Sequence, residues 1–384
     1  MFRFYYFFIF FGLGVLLPLL GVYLSNTLHL SGTQIGTITS VGSIVMIFIQ
    51  PLWGMLCDYT QKPRGVLFGT LLATGIIGFL YSTTASYPIL VVIAVALALS
   101  QSAIIPISDS IALNYVQKGK DNYGSIRLYG SLGFAFAVLV AGRASQSFGM
   151  GIIFYLFAAF MFAGAVLTWI LPKQGSGLHV NLVQGCTILL KKREFLLFLG
   201  STFFIFGPIN ANNTYFGLLI MKLGGTLTVV GIMFLLSAGS EAPFMRISSF
   251  WMSKLGVDRI LILSALVSAI RWLFYFFEPS LLLIYITTIA QGLSIGFFVP
   301  AALQYVRNLA SNSMRSTAVA LYAAAGSGFG TWFSTILAGV LMDQFGIPFV
   351  YLCFFILTVV GLFLLVLLFK KKVVSSKVCK NDIV

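Results

Sequence analysis

Charge is what this chain has least of. Only 8% of its 384 residues are charged, and just nine of those are acidic, where a soluble domain carries about 25%. A soluble globular domain is therefore excluded. Histidine is almost missing as well: His29 and His179 are the only two, and both fall between apolar runs. A proton carrier inside an apolar run must then be a carboxylate, and only Asp109 and Glu241 qualify. Cys57, Cys186, Cys353 and Cys379 show no paired spacing, which speaks against a disulfide framework and against a metal site. There is no phosphate-binding glycine loop, no metal motif and no nucleophile elbow, and no polar segment is large enough to house one. The expectation is a protein that is not an enzyme and holds no cofactor.

What the chain does have is hydrophobic sequence, 59% of it. A helix needs near 20 apolar residues to cross about 30 Å of hydrocarbon. Twelve runs meet that length, at about 4–25, 33–57, 65–84, 88–116, 125–147, 151–171, 195–222, 227–252, 258–277, 280–306, 316–342 and 347–369. The first follows only Arg3 and has no small-residue cleavage site behind it, so it reads as a retained span and not a signal peptide. Glycines recur within the runs, as at Gly130, Gly133, Gly142, Gly326, Gly328 and Gly330, and suit close helix–helix approach.

The net charge is +14, which raises the question of nucleic acid. The positions answer it. Arg3, Lys62, Arg64, Lys118, Lys173, Lys191, Lys254, Arg259, Arg307 and Lys370 all fall in the gaps on one side of an alternating chain. The other side keeps little beyond Lys222 and Arg143. That asymmetry predicts a multi-pass protein of the cell membrane with both termini cytoplasmic, and no nucleic-acid partner. The longest polar segment, 172–194, divides the chain into an N-terminal bundle (1–171), a cytoplasmic linker, a C-terminal bundle (195–372) and a tail (373–384).

The halves repeat. A shift of 197 residues lays GSLGFAFAVLVAG (130–142) over SGFGTWFSTILAG (327–339), and SFG (147–149) over QFG (344–346). Parallel six-span repeats imply a pseudo-two-fold axis along the membrane normal and a binding site near the midplane. The shift sets Val306 opposite Asp109 and Ala324 opposite Arg127. Scaffold is duplicated, and this pair of charges is not.

A charge at mid-bilayer costs about 2.5–3.5 kcal/mol on insertion scales, so Asp109 and Arg127 are functional candidates by default. They stand 18 residues apart on two runs joined by a short turn. Asp109 lies about 10 Å beyond the turn, within reach of a long arginine. The alternative is that Arg127 snorkels to the head groups while Asp109 caps a kink after Pro106. Polar groups in the run GPINANNTY, namely Asn210, Asn212, Asn213 and Tyr215, together with Gln291, are candidates to line a cavity. Glu241 has two competing partners, Arg246 and Arg271.

Between the second and third runs stands PLWGMLCDYTQKPRG. It resembles the loop signature of the major facilitator superfamily, with Gly54, Asp58, Lys62 and Arg64 in the signature positions. In that family such a loop latches the cytoplasmic side, which makes these four a candidate cytoplasmic gate. The stretches FFGLGVLLPLLGVYL, LSGTQIG, YGSIRLYGSLGFA and ALYAAAGSGFG are similar to the phenylpropionate-permease branch, neighbours of the lactose-permease group. The resemblance spans nearly the whole chain. It implies an all-α membrane fold of twelve helices in two pseudo-symmetric six-helix bundles. Pro106, Asp109, Gly124 and Arg127 match the acid and base that bind sugar in that group. Glu241 and Arg271 match the branch, while Gln291 stands where relatives commonly carry histidine, and Ser294 where the proton-site glutamate is found.

The expectation is a secondary active transporter, working as a monomer in the lipid bilayer by alternating access. It would move a small polar organic solute (a sugar, nucleoside or aromatic acid) by proton symport. Asp109 and Arg127 would grip the solute with Asn210, Asn212, Asn213, Tyr215 and Gln291, and Glu241, Arg271 and Asp109 would couple protons. A proton antiporter exporting drugs or metabolites is the first alternative. A non-transporting receptor or assembly protein is the second.

Overall fold

A computed structural model describes residues 1–118, 123–172, 187–311 and 314–381. Most of the 172–194 linker, with His179, and the end of the tail lie outside these residues. Among the described residues there is no β-strand, and eleven helices are long and apolar enough to span a membrane. The N-terminal half contributes α1 (Phe2–Asn26), α2 (Gly32–Thr60), α3 (Pro63–Leu80), α4 (Tyr87–Gln101), α5 (Ile104–Lys118), α6 (Tyr123–Phe148) and α7 (Ile152–Thr168). The C-terminal half contributes α8 (Arg193–Lys222), α9 (Leu227–Leu255), α10 (Val257–Phe276), α11 (Leu281–Leu309), α12 (Arg315–Ala323), α13 (Thr331–Phe345) and α14 (Ile347–Asn381). The fold is two pseudo-symmetric bundles of six spans. The last helix runs beyond residue 372, where the sequence places the start of a separate tail.

Two of the twelve spans are made of two helices each. Pro106 lies in the first turn of α5, and its ring cannot coexist with a straight helix through the carbonyl four residues earlier. The chain breaks at Ser102–Ala103 and resumes as α5. The span that contains α12 and α13 is interrupted by a π-helical stretch, Ala324–Gly330. A Cβ on Gly330 would lie 2.7 Å from the Phe203 carbonyl oxygen, and one on Gly326 would lie 2.8 Å from the Thr202 methyl. Glycine there lets the widened turn press onto α8. The sixth span is short, with 17 residues in α7. Turn bonds from Trp169, Ile170 and Leu171 to Val166, Leu167 and Thr168 carry it one turn further.

The repeat is visible in the backbone. Gly149 and Gly346 coincide under the 197-residue shift. Both end a helix in the left-handed region, at φ +88° and +86°, which glycine enters without a side-chain penalty.

Contacts group the helices into two compact units. The first comprises Met1–Leu178, Asn212–Gly239 and Thr335–Ile347, and the second His179–Ala211, Ser240–Ser334 and Pro348–Val384. The first unit thus holds the described N-half helices together with the end of α8, the start of α9 and the end of α13. All three of these C-half pieces lie at the end of the spans opposite the chain termini.

Candidate functional site

Within the first unit the charges meet against α1. Gly133 of α6 faces the backbone carbonyl of Phe7, a Cβ on Gly130 would lie 2.9 Å from the Phe10 ring, and one on Gly14 would lie 2.6 Å from the Phe134 carbonyl oxygen. Small residues on both helices bring α1 and α6 together. That approach lays the aromatic run of α1 beside Arg127 and Asp109.

Tyr6 donates its hydroxyl to Asp109 Oδ1 at 2.6 Å. Arg127 Nη1 stands 3.8 Å from the same oxygen, inside ion-pair range and outside hydrogen-bonding distance. That nitrogen is buried and makes no hydrogen bond. The guanidinium carbon sits 4.3 Å from the centre of the Phe10 ring and 5.9 Å from that of Tyr6, a cation–π arrangement. Tyr6 and Phe10 stack at 6.1 Å. One residue earlier, the Tyr5 and Ser108 hydroxyls bond at 2.8 Å, which locks α1 onto α5. Arg127 and Asp109 remain 36% and 25% exposed, so neither is sealed. The carboxylate accepts from Tyr6 and also takes a side-chain hydrogen bond from Tyr123, which leaves part of its four-site acceptor capacity for a further donor. The guanidinium rests on ring faces with donors to spare.

The second unit carries a different centre. A side chain on Gly292 of α11 would strike Ser240, and a Cβ on Gly296 would lie 2.7 Å from the Phe244 Cβ. Glycines here draw α9 and α11 together, as those of α6 do for α1. Arg271 of α10 donates from Nη1 to Gln291 Oε1 at 2.7 Å. Its Nε and Nη2 are buried and find no hydrogen-bond partner. The guanidinium carbon is 4.3 Å from the centre of the Trp272 ring. Glu241 of α9 feels Arg271 electrostatically but forms no ion pair with it among the described residues. Its other candidate partner, Arg246, is exposed. Of the two arginines that compete for Glu241 in the sequence, Arg271 is hydrogen-bonded to Gln291.

The remaining candidates are spread out. Asn212 is buried, Asn210 half-buried and Asn213 exposed. Tyr215 is enclosed, and its hydroxyl donates to the Thr335 carbonyl oxygen at 2.6 Å, a bond within the scaffold. In the loop signature, Gly54 has open space around it, and Asp58 forms no ion pair among the described residues. Lys62 is exposed. Arg64 donates to the Leu171 carbonyl oxygen at 3.2 Å and stacks on Trp169. Tyr6 and Phe10 were not singled out from the sequence. The one available signal was a pair of hydroxyls, Tyr5 and Tyr6, in an otherwise phenylalanine-rich opening run.

The profile of the MFS_1 like family matches residues 1–353. The maltose permease of Geobacillus stearothermophilus is 48% identical over 372 residues, covering 97% of this chain and 94% of that one. The uncharacterized transporter YwbF of Bacillus subtilis (strain 168) is 45% identical over 367 residues, covering 95% and 92%. A crystal structure of the nucleoside transporter NupG superposes with a TM-score of 0.87 at 19% identity, covering 96% of this chain and 98% of that one.

Proposed function

This chain belongs to the MFS_1 like family, and from that premise we propose that it carries a maltose-like sugar into the cell together with protons. It is a multi-pass membrane protein and a secondary transporter of small polar solutes, not an enzyme. The observation that carries the sugar reading is the Tyr6–Asp109–Arg127 cluster beside Phe10. Sugar hydroxyls donate to a carboxylate and accept from a guanidinium, and the apolar face of a pyranose ring rests on an aromatic plate. A half-exposed pair with unused donors and acceptors offers all three. The 48% likeness to a maltose permease favours a glucose-containing oligosaccharide over a nucleoside or aromatic acid.

Coupling is assigned to Glu241 with Arg271 and Gln291, with Asp109 as the second titratable group. A buried guanidinium with unpaired N–H groups is costly, and an ionised Glu241, which interacts with it electrostatically, would offset part of that cost. Protonating Glu241 removes that relief, so the proton state of one side chain biases the packing around another. Asn210, Asn212 and Asn213 supply further amides to the solute, with Tyr215 as scaffold. Gly54, Asp58, Lys62 and Arg64 form the gate at the cytoplasmic end, where both termini lie, and the working unit is a monomer.

The test is uptake into vesicles of the purified protein, with labelled maltose, a nucleoside and an aromatic acid, each with and without an inward proton gradient. Gradient-dependent accumulation of maltose is expected. Accumulation of only the nucleoside or the acid would sink the sugar reading, and uptake indifferent to the gradient would sink the coupling.

A further inference from the structure

At the end opposite the termini, two seams of the first unit are related by the internal repeat. In one, α2 meets α13: a side chain on Gly339 would strike the Gly32 carbonyl, and a Cβ on Gly36 would lie 2.8 Å from the Thr335 carbonyl oxygen. In the other, α9 meets α6: a Cβ on Gly142 would lie 2.5 Å from the Leu227 carbonyl oxygen, and one on Gly231 would lie 2.7 Å from that of Val138. The 197-residue shift lays Gly339 over Gly142 and Thr335 over Val138. A shift of 195 lays Gly231 over Gly36 and Thr228 over Thr33. The same backbone-on-glycine contact is therefore made twice.

The polar closures of the two seams are not the same. At the first, Asp343 of α13 receives a side-chain hydrogen bond from Ser31, which precedes α2, and three donors from the first two residues of α2. They are the Gly32 backbone N–H, the Thr33 N–H at 2.8 Å and the Thr33 hydroxyl at 2.6 Å. The first N–H groups of a helix have no partner within it, and they carry the positive end of its dipole. A carboxylate from a neighbouring helix satisfies both features at once. At the second seam the position of Asp343 is taken by Gln146, which accepts a single bond from the Thr228 hydroxyl at 2.5 Å. One seam is held by an anion on a helix terminus, and the other by one neutral bond.

We propose that Asp343 is the clasp of this end: its release from the α2 terminus, more than that of Gln146 from Thr228, sets how readily the transporter opens there. The proposal rests on the alternating-access reading, since only a carrier must part these seams and close them again. Asp343 acts through the position of α2 and does not touch the solute.

The test uses a cysteine at the buried seam position Thr335. Purified Thr335→Cys protein in lipid nanodiscs is treated with a hydrophilic maleimide, and the labelling rate is read by mass. The same variants without Thr335→Cys supply the baseline from native cysteines. Gly339→Ala, which wedges the seam, is the control that should label fast. Asp343→Ala should label about threefold or more faster than the parent, the scale of a lost helix cap. Asp343→Glu should stay near the parent rate, and Gln146→Ala should rise less than Asp343→Ala. Labelling of Asp343→Ala at the parent rate while Gly339→Ala labels fast would overturn the proposal, and so would a larger rise in Gln146→Ala. If Asp343→Ala cannot be purified, Asp343→Asn, which keeps the size and loses the charge, is read in the same way. The assay needs no solute, so failed maltose uptake would count against the substrate reading and leave the clasp standing.

Discussion

The two charged centres share a construction and differ in what they hold. In each, glycines on one helix let a neighbour approach, and an arginine lies against aromatic rings. Arg127 shares a half-exposed space with Asp109, and Tyr6 orients the carboxylate. Arg271 is enclosed, held on one side by an amide and bare on the other. The difference teaches that the repeat conserves how helices pack, while each half adds its own polar chemistry. An open pair with spare donors and acceptors suits a passenger that comes and goes. A sealed arginine with unmet donors suits a group that changes charge in place.

The comparison can be broken most decisively at the second centre. Glu241→Gln should abolish accumulation against a gradient, bringing the internal solute level to the external one, while exchange of labelled for unlabelled solute continues. If gradient-driven accumulation survives in vesicles, the second centre is structural and the contrast fails. At the first centre, Asp109→Asn keeps an acceptor for Tyr6 and loses the charge that faces Arg127. Solute affinity by calorimetry should fall about tenfold to a hundredfold, the worth of a hydrogen bond to a charged group. Unchanged affinity would remove the gripping role.

Gly133→Ala probes the shared construction. The added methyl meets the Phe7 backbone, and overpacking of this kind costs about 1–3 kcal/mol. A lowered thermal midpoint together with weaker solute binding is expected, because α1 carries Tyr6 and Phe10. A stable protein with weakened binding would mean that α1 shifts without loosening. The smallest effect belongs to Tyr6→Phe, which removes one hydroxyl and leaves the ring. The hydroxyl orients the carboxylate without touching the solute, so only about 1 kcal/mol of its worth is expected to show in binding, and affinity should drop about fivefold with Tm nearly unchanged.

Much of the first centre was legible before any coordinates. Asp109 and Arg127 stood out because ionised groups are rare in apolar runs, and the tight turn between their helices brought them within reach of each other. The glycines of α6 also announced a close approach, though not which helix would come near. Phe10 could not be distinguished from its neighbours, since a run of phenylalanines has no polar face to show its orientation. The link from Arg271 to Gln291 was hidden for a related reason: sequence brings opposite charges to notice and passes over an amide. Asp343 sits at the end of its span, where a lone carboxylate reads as an ordinary solvated residue.

By itself, the sequence determined the number of spans, their pairing into two related halves and the identity of the rare ionisable groups within them. Each of these follows from hydrocarbon thickness and the cost of burying charge, quantities that act along the chain. Tertiary structure alone decided which face each helix turns inward, that Tyr6 and Phe10 complete the first centre, that Gln291 takes Arg271, and that Asp343 reaches the start of α2. A spanning helix is apolar on nearly every side, so its rotation is fixed by glycine-sized gaps and single polar contacts with its neighbours, and those are properties of pairs of helices.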